Sequence, residues 1–195
     1  MNINTYSPQI ITGACVVVLV VMLLIAWGVG RQRGRLRTAE LRRRFGSEYD
    51  NAVVRYHSRG RAEAALQARL NRVEHYQLRP ISPDQRKLFL SQWDAIQARF
   101  VDHPRGAVTE ADELLNAVLQ ARGYPGSRFE QRADDLSVPH PRLADPYRRA
   151  YSITVRAGKN EASTEELRTA MILYRAIFDE LAETRTIDFP HAEAA

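Results

Sequence analysis

Asp134, Asp135 and His140 fall close together in the stretch RADDLSVPHPRL, with Pro139 and Pro141 on either side of the histidine. Two carboxylates and an imidazole are groups that serve general acid–base chemistry, because environment can bring their pKa values near neutrality. Irregular segments carry functional residues more often than regular elements do, so this trio is the candidate catalytic constellation. The same residue types beside prolines are also ordinary turn and cap chemistry. That structural role is the alternative reading of the trio.

Other chemistries lack their residues. His57, His75, His103, His140 and His191 have no second histidine and no carboxylate three or four positions on, the spacing a metal-binding helix shows. The single cysteine, Cys15, lies in an apolar run and leaves no thiol pair for a disulfide or a zinc cage. Neither a GxSxG elbow, a Walker loop nor a GxGxxG turn occurs. Phe89, Trp93 and Phe100 recur at helical spacing, which marks core rather than a cofactor box. The sequence therefore assigns no metal ligand and no cofactor.

Charge narrows the partners. The whole chain carries +5, and a basic chain invites a nucleic-acid reading. Seven arginines, however, crowd between positions 31 and 44 against Glu40 alone, and residues 47–195 keep 21 Lys+Arg against 22 Asp+Glu. A neutral body has no basic face for phosphate contacts, so nucleic acid is not expected as a partner.

Between Ile10 and Val29 no residue is charged. About 20 residues at about 1.5 Å each match the thickness of a bilayer's hydrocarbon core. An export signal places basic residues before a shorter apolar stretch, whereas here the arginines follow it. The expectation is an uncleaved transmembrane helix over residues 10–30, with residues 1–9 outside and the rest cytoplasmic by the positive-inside rule. Trp27, Arg31, Arg33, Arg35, Arg37, Arg42, Arg43 and Arg44 are the expected membrane-surface contacts, in a basic juxtamembrane segment over residues 31–46.

The elements that would position the candidate trio are all helical. No alternating strand pattern of useful length occurs after Gly46. Ser47 to Tyr56 reads as a short helix, and Ala62, Leu66, Leu70 and Val73 form the apolar stripe of the next, from about Gly60 to Gln77. Ser82, Pro83 and Gln85 spell a capping box before Phe89, Trp93, Ile96 and Phe100. Asp102 is the expected cap of a helix burying Val108, Ala111, Leu115, Val118 and Leu119 and stopped by Gly123 and Pro125. The connector holds a helical piece around Glu130 to Leu136. A helix from about Pro141 to Ala157 follows, with Leu143, Tyr147, Ala150, Tyr151 and Thr154 on one side. The last begins at Ser163 to Glu166 and buries Leu167, Met171, Tyr174, Phe178 and Leu181. The fold expected is all-α: a single N-terminal transmembrane helix, a small cytoplasmic helical bundle over 47–183 and a flexible tail over 184–195.

The phrases LRRRFGSEYDNAV, QLRPISPDQR, WDAIQARFVDHPRGAVTEADELLNAVLQARGYP and FEQRADDLSVPHP resemble segments of a group of small bacterial proteins described as hypothetical membrane or secreted proteins. The likeness covers about Leu41 to Leu181 and implies no activity, ligand or catalytic residue. The functional expectation is a membrane-tethered interaction module, either a scaffold or an accessory subunit of a membrane complex, whose partners are the lipid bilayer and a protein in or at the membrane. The alternative is an anchored enzyme, or a ligand or lipid sensor, that uses the connector over 129–146. Oligomeric state is not encoded in any recognisable pattern.

Overall fold

The computed structural model describes residues 8–126 and 128–183, with side chains described from Leu19 onward except at positions 20, 29, 30, 33 and 127. Every regular element among them is an α-helix. The chain divides into two compact units, Met1–Arg43 and Arg44–Ala195.

The first unit is the bulk of one helix, α1 (Pro8–Phe45). The change from apolar to arginine-rich sequence does not interrupt it, since a helix needs only continuous backbone hydrogen bonds and arginine is a good helix former. One continuous helix therefore runs through both the 10–30 and the 31–46 segments up to Phe45. The expected membrane anchor is also corrected: among the described residues no helix is long and apolar enough to cross a membrane. The single-pass localisation, with its outside N-terminus and cytoplasmic domain, falls with that span. The remainder of the run, Cys15 included, lies outside the described side chains, and residues 1–7 and 184–195 lie outside the described residues altogether.

The second unit contains α2 (Ser47–Tyr56), α3 (Arg59–Glu74), α4 (Pro83–Arg99), α5 (Pro104–Ala121), α6 (Phe129–Leu136), α7 (Pro141–Gly158) and α8 (Thr164–Glu183). Helix α8 packs on α5 and α7, and α4 on α5. Helix α2 packs on α3 and α7, while the short α6 bridges α3 and α7. The expected stripes of α3, α5 and α8 are all buried. In α7 the inner face is Ala144, Tyr147, Ala150, Ile153 and Ala157, with Leu143, Tyr151 and Thr154 only half-buried.

Local signals set the helix ends. Ser82 Oγ accepts the Gln85 N–H at 3.2 Å while the Gln85 side chain accepts the Ser82 N–H at 3.2 Å, with Pro83 inside the first turn. Ser163 and Glu166 repeat the reciprocal arrangement before α8. At α5 the cap differs from expectation: His103, not Asp102, is the N-cap, with Pro104 opening the helix. Proline's fixed φ starts the helix at its own position, which leaves Asp102 one residue too early. After α5, Gly123 has φ +95°, and a Cβ there would come within 2.4 Å of the Gln77 carbonyl oxygen. Only glycine fits that backbone. The crossing ties the loop after α3 to the end of α5, where the Arg79 N–H donates to the Arg122 carbonyl at 3.0 Å.

Candidate functional site

Helix α6 ends on two consecutive aspartates, Asp134 and Asp135, where the partial negative charge of the helix terminus opposes them. Cations from elsewhere must offset that repulsion, and the fold supplies arginines from α2, α3 and α7. Arg148 of α7 donates from Nη2 to Asp134 Oδ1 at 2.9 Å, and Arg55 of α2 reaches the same oxygen at 3.3 Å. Arg69 of α3 places Nη2 at 2.9 Å from it, an ion pair at an angle poor for a hydrogen bond.

Asp135 is 1% exposed and fully engaged. Arg72 donates from Nε at 2.7 Å to its Oδ1, and the Tyr76 hydroxyl donates to its Oδ2 at 2.8 Å. Burial and this carboxylate push the Tyr76 phenol above its ordinary value.

Sequence reasoning missed the residue at the centre of the cluster. Glu48 of α2 is 1% exposed and accepts from Arg69 Nη1 at 2.8 Å and from both terminal nitrogens of Arg148 at 2.8 Å. Burial alone would raise its carboxyl, but the hydrogen bonds and charges of Arg148 and Arg69 hold it below the ordinary carboxylate value. Arg69 is itself 2% exposed and also reaches Ser137 Oγ at 3.3 Å. A signal for it existed: Arg69 stands three residues after Leu66 and four before Val73, inside the apolar stripe of α3, where a cation is stable only with a buried acid.

His140 is not joined to either aspartate. It is the N-cap of α7, 7% exposed, with its N–H donating to the Leu136 carbonyl at 3.0 Å. Its Nδ1 lies 3.6 Å from Glu180 of α8, and its buried Nε2 has no hydrogen-bond partner among the described residues. Burial and then the nearby Arg122 guanidinium lower its pKa, with Glu180 opposing. The expected trio is thus one carboxylate among three arginines, a second held by Arg72 and Tyr76, and a histidine facing another helix. A general base must reach a substrate proton, and Asp135 is buried with Arg72 on one carboxylate oxygen and the Tyr76 hydroxyl on the other.

A second polar group lies between α5, α6, α7 and α8. The Tyr174 hydroxyl donates to Asp112 at 3.2 Å and contacts Thr154 Oγ1 at 2.9 Å. Arg132 approaches Asp112 at 4.0 Å and donates to the Tyr147 hydroxyl at 3.2 Å. Burial raises the Asp112 carboxyl and both phenols. No sequence pattern announced this set, since its members are spread over four helices.

Open grooves line parts of the described surface. One lies between α4 and the end of α8, one along the α4–α5 seam beside Arg99 and Glu110, and one on α7–α8 beside Arg149 and Glu166. None is lined by Asp134, Asp135 or His140. Among the described residues no three of His, Cys, Asp and Glu form a group able to hold a metal ion.

On α1, Trp27, Arg31, Arg35, Arg37, Arg42 and Arg43 are exposed and Arg44 is half-buried. The Arg33 side chain lies outside the described set. The Arg31 guanidinium sits 5.3 Å over the Trp27 ring, and Arg43 pairs with Glu40 at 2.9 Å. No family model, no curated protein and no solved structure matches the chain.

Proposed function

We propose that the chain is an assembly module: a rigid helical body over α2–α8, joined to a partner protein through the apolar half of α1. The observation that carries this reading is exposure. Leu19, Met22, Leu23, Leu24, Ile25 and Trp27 are each between 58% and 66% exposed. Contiguous exposed apolar surface of this kind marks an interaction site, and a helix apolar all round is one that something covers in its working state. At about 25 cal/mol per Å², covering even half of such a stretch is a substantial driving force for association.

The body supports the same reading. Its conspicuous acid–base residues are consumed in holding helices together, so the connector over 129–146 reads as a structural weld and the enzyme alternative loses its donor groups. An assembly module needs stiffness in the part that carries the cargo, and a fully paired ionic cluster supplies it.

The test places a photo-reactive amino acid at Leu23 of the full-length chain, with a matched control at the isolated exposed Val54. A discrete adduct with a protein from position 23, absent from position 54, is the expected result. Leu23→Asn with Leu24→Asn should abolish function while leaving abundance and melting of the body unchanged. Adducts with lipid alone, or none, would overturn the proposal.

A further inference from the structure

Helix α8 ends at Glu183 on the rim of an open groove of about 400 Å³. Ile81, Pro83, Leu90 and Ala182 give it an apolar floor, and Arg86 and Lys87 place two cations on one edge against the carboxylate of Glu183. Arg86 already reaches Glu183 at 3.5 Å, in an exposed pair worth little by itself. The groove therefore asks for an occupant that is apolar on one face and acidic on another.

The sequence that follows Glu183 has that chemistry. After Thr184, Arg185 and Thr186 come Ile187, Asp188, Phe189 and Pro190. In extended chain alternate residues share a face, so an extended segment of this sequence would put Ile187 and Phe189 together with Asp188 opposite. Proline suits extended chain that pairs with no strand. Three intervening residues span up to about 10 Å, enough because Ala182 and Glu183 line the groove themselves.

We propose that the groove between α4 and α8 is the docking site of the chain's own residues 187–190, with Ile187 and Phe189 against Ile81 and Leu90 and with Asp188 at the Arg86 and Lys87 edge. Tethering sets the effective concentration of so short a segment in the millimolar range, so a millimolar intrinsic affinity suffices to fill the groove about half the time.

The test uses the full chain with a photo-cross-linking amino acid in place of Phe189, made as an equal mixture of heavy- and light-isotope protein. Peptide mapping should find the adduct within residues 80–90 and within one chain. Lys87→Glu, on an exposed position that leaves the fold intact, should cut the yield about threefold, the size of one exposed charge contact. Ile81→Asp should cut it further. Excess synthetic peptide of residues 184–195 at several millimolar should cut it at least about twofold by competition. Adducts elsewhere on the body, adducts joining heavy to light chains, or a yield indifferent to Lys87→Glu and to competing peptide would each overturn the assignment.

Discussion

Two seams in the body are built on opposite principles. Where α4, α5 and α8 meet, the contact is nearly all hydrocarbon: Trp93 stacks on Phe178 at 5.3 Å, and Val108, Leu115, Val118, Leu119 and Ile177 fill the space around them. Where α2, α3, α6 and α7 meet, the largest buried side chains include Arg69, and Glu48, Asp135 and Ser137 are buried with it. An apolar seam is permissive, because any side chains of suitable volume satisfy it. An ionic seam is exacting, because each buried charge must find its own opposite or cost several kcal/mol. The comparison teaches that α2 and α6, too short to bury much hydrocarbon, are held in place by specific charge pairing.

The contrast breaks most sharply under substitution. Glu48→Ala would strip the buried Arg69 and the half-buried Arg148 of their shared buried acid, leaving both on Asp134, and should destabilise the body by about 3–5 kcal/mol. Trp93→Ala should cost a similar amount, about 3–5 kcal/mol, through a cavity under Phe178. The two losses differ in how they are repaired. Replacing Glu48, Arg69 and Arg148 together by Leu, Met and Met should restore most of the lost stability, since buried ion pairs exchanged for packed hydrocarbon are often neutral or better. Asp134 keeps Arg55 at 3.3 Å in that variant. Urea melts of the single and triple variants decide the matter: a triple variant as weak as Glu48→Ala would mean that the cluster contributes more than charge cancellation.

These seams were unequally legible in the sequence. The apolar stripes of α3, α5 and α8 and the two capping boxes could be read because periodicity and short-range spacing encode them directly. In α7 the inner face is rich in alanine, a weak apolar signal, so the bulkier Leu143 and Tyr151 drew the expected stripe off its true line. The ionic seam was legible only in the oddity of Arg69 inside a stripe. Its partners lie far off in the chain, with Glu48 a hundred residues from Arg148, and no local pattern encodes such a pairing. The placement of the expected trio was hidden for the same reason: Asp134, Asp135 and His140 are neighbours in sequence, yet the helix start at Pro141 and the turn before it send the histidine toward Glu180 of α8.

A titration sharpens the comparison at the margin between the seams. His140 has a folded pKa below its ordinary 6.5 because burial and Arg122 disfavour the imidazolium. As pH falls through about 6.5 the unfolded chain binds a proton that the native state refuses, so stability declines from that point down to the lowered native pKa. The slope is at most about 1.4 kcal/mol per pH unit for one such group. Glu48 adds a separate acid loss beginning near 4.5, since its native pKa is also lowered. His140→Gln should flatten the decline that begins near pH 6.5 and leave the lower one in place. A wild-type stability that stays level from pH 7 to 5 would contradict the buried neutral state of His140.

The smallest expected effect compares two helix starts four-square in sequence terms but different in structure. Ser82 and Asp102 are both good capping residues one or two positions before a proline. Only Ser82 has its oxygen on a helical amide, that of Gln85, with the reciprocal bond closing the box. Ser82→Ala should therefore cost about 1 kcal/mol, the usual loss for a working cap. At α5 the cap position belongs to His103, whose side chain makes no capping bond, and the helix leans on Pro104 for its start. Asp102 is exposed and outside that cap, so Asp102→Ala should change stability by less than about 0.5 kcal/mol. Thermal melts of the two alanine variants at pH 7 give the comparison directly. Equal losses would place Asp102 back at the head of α5 and shift the start of that helix by one residue.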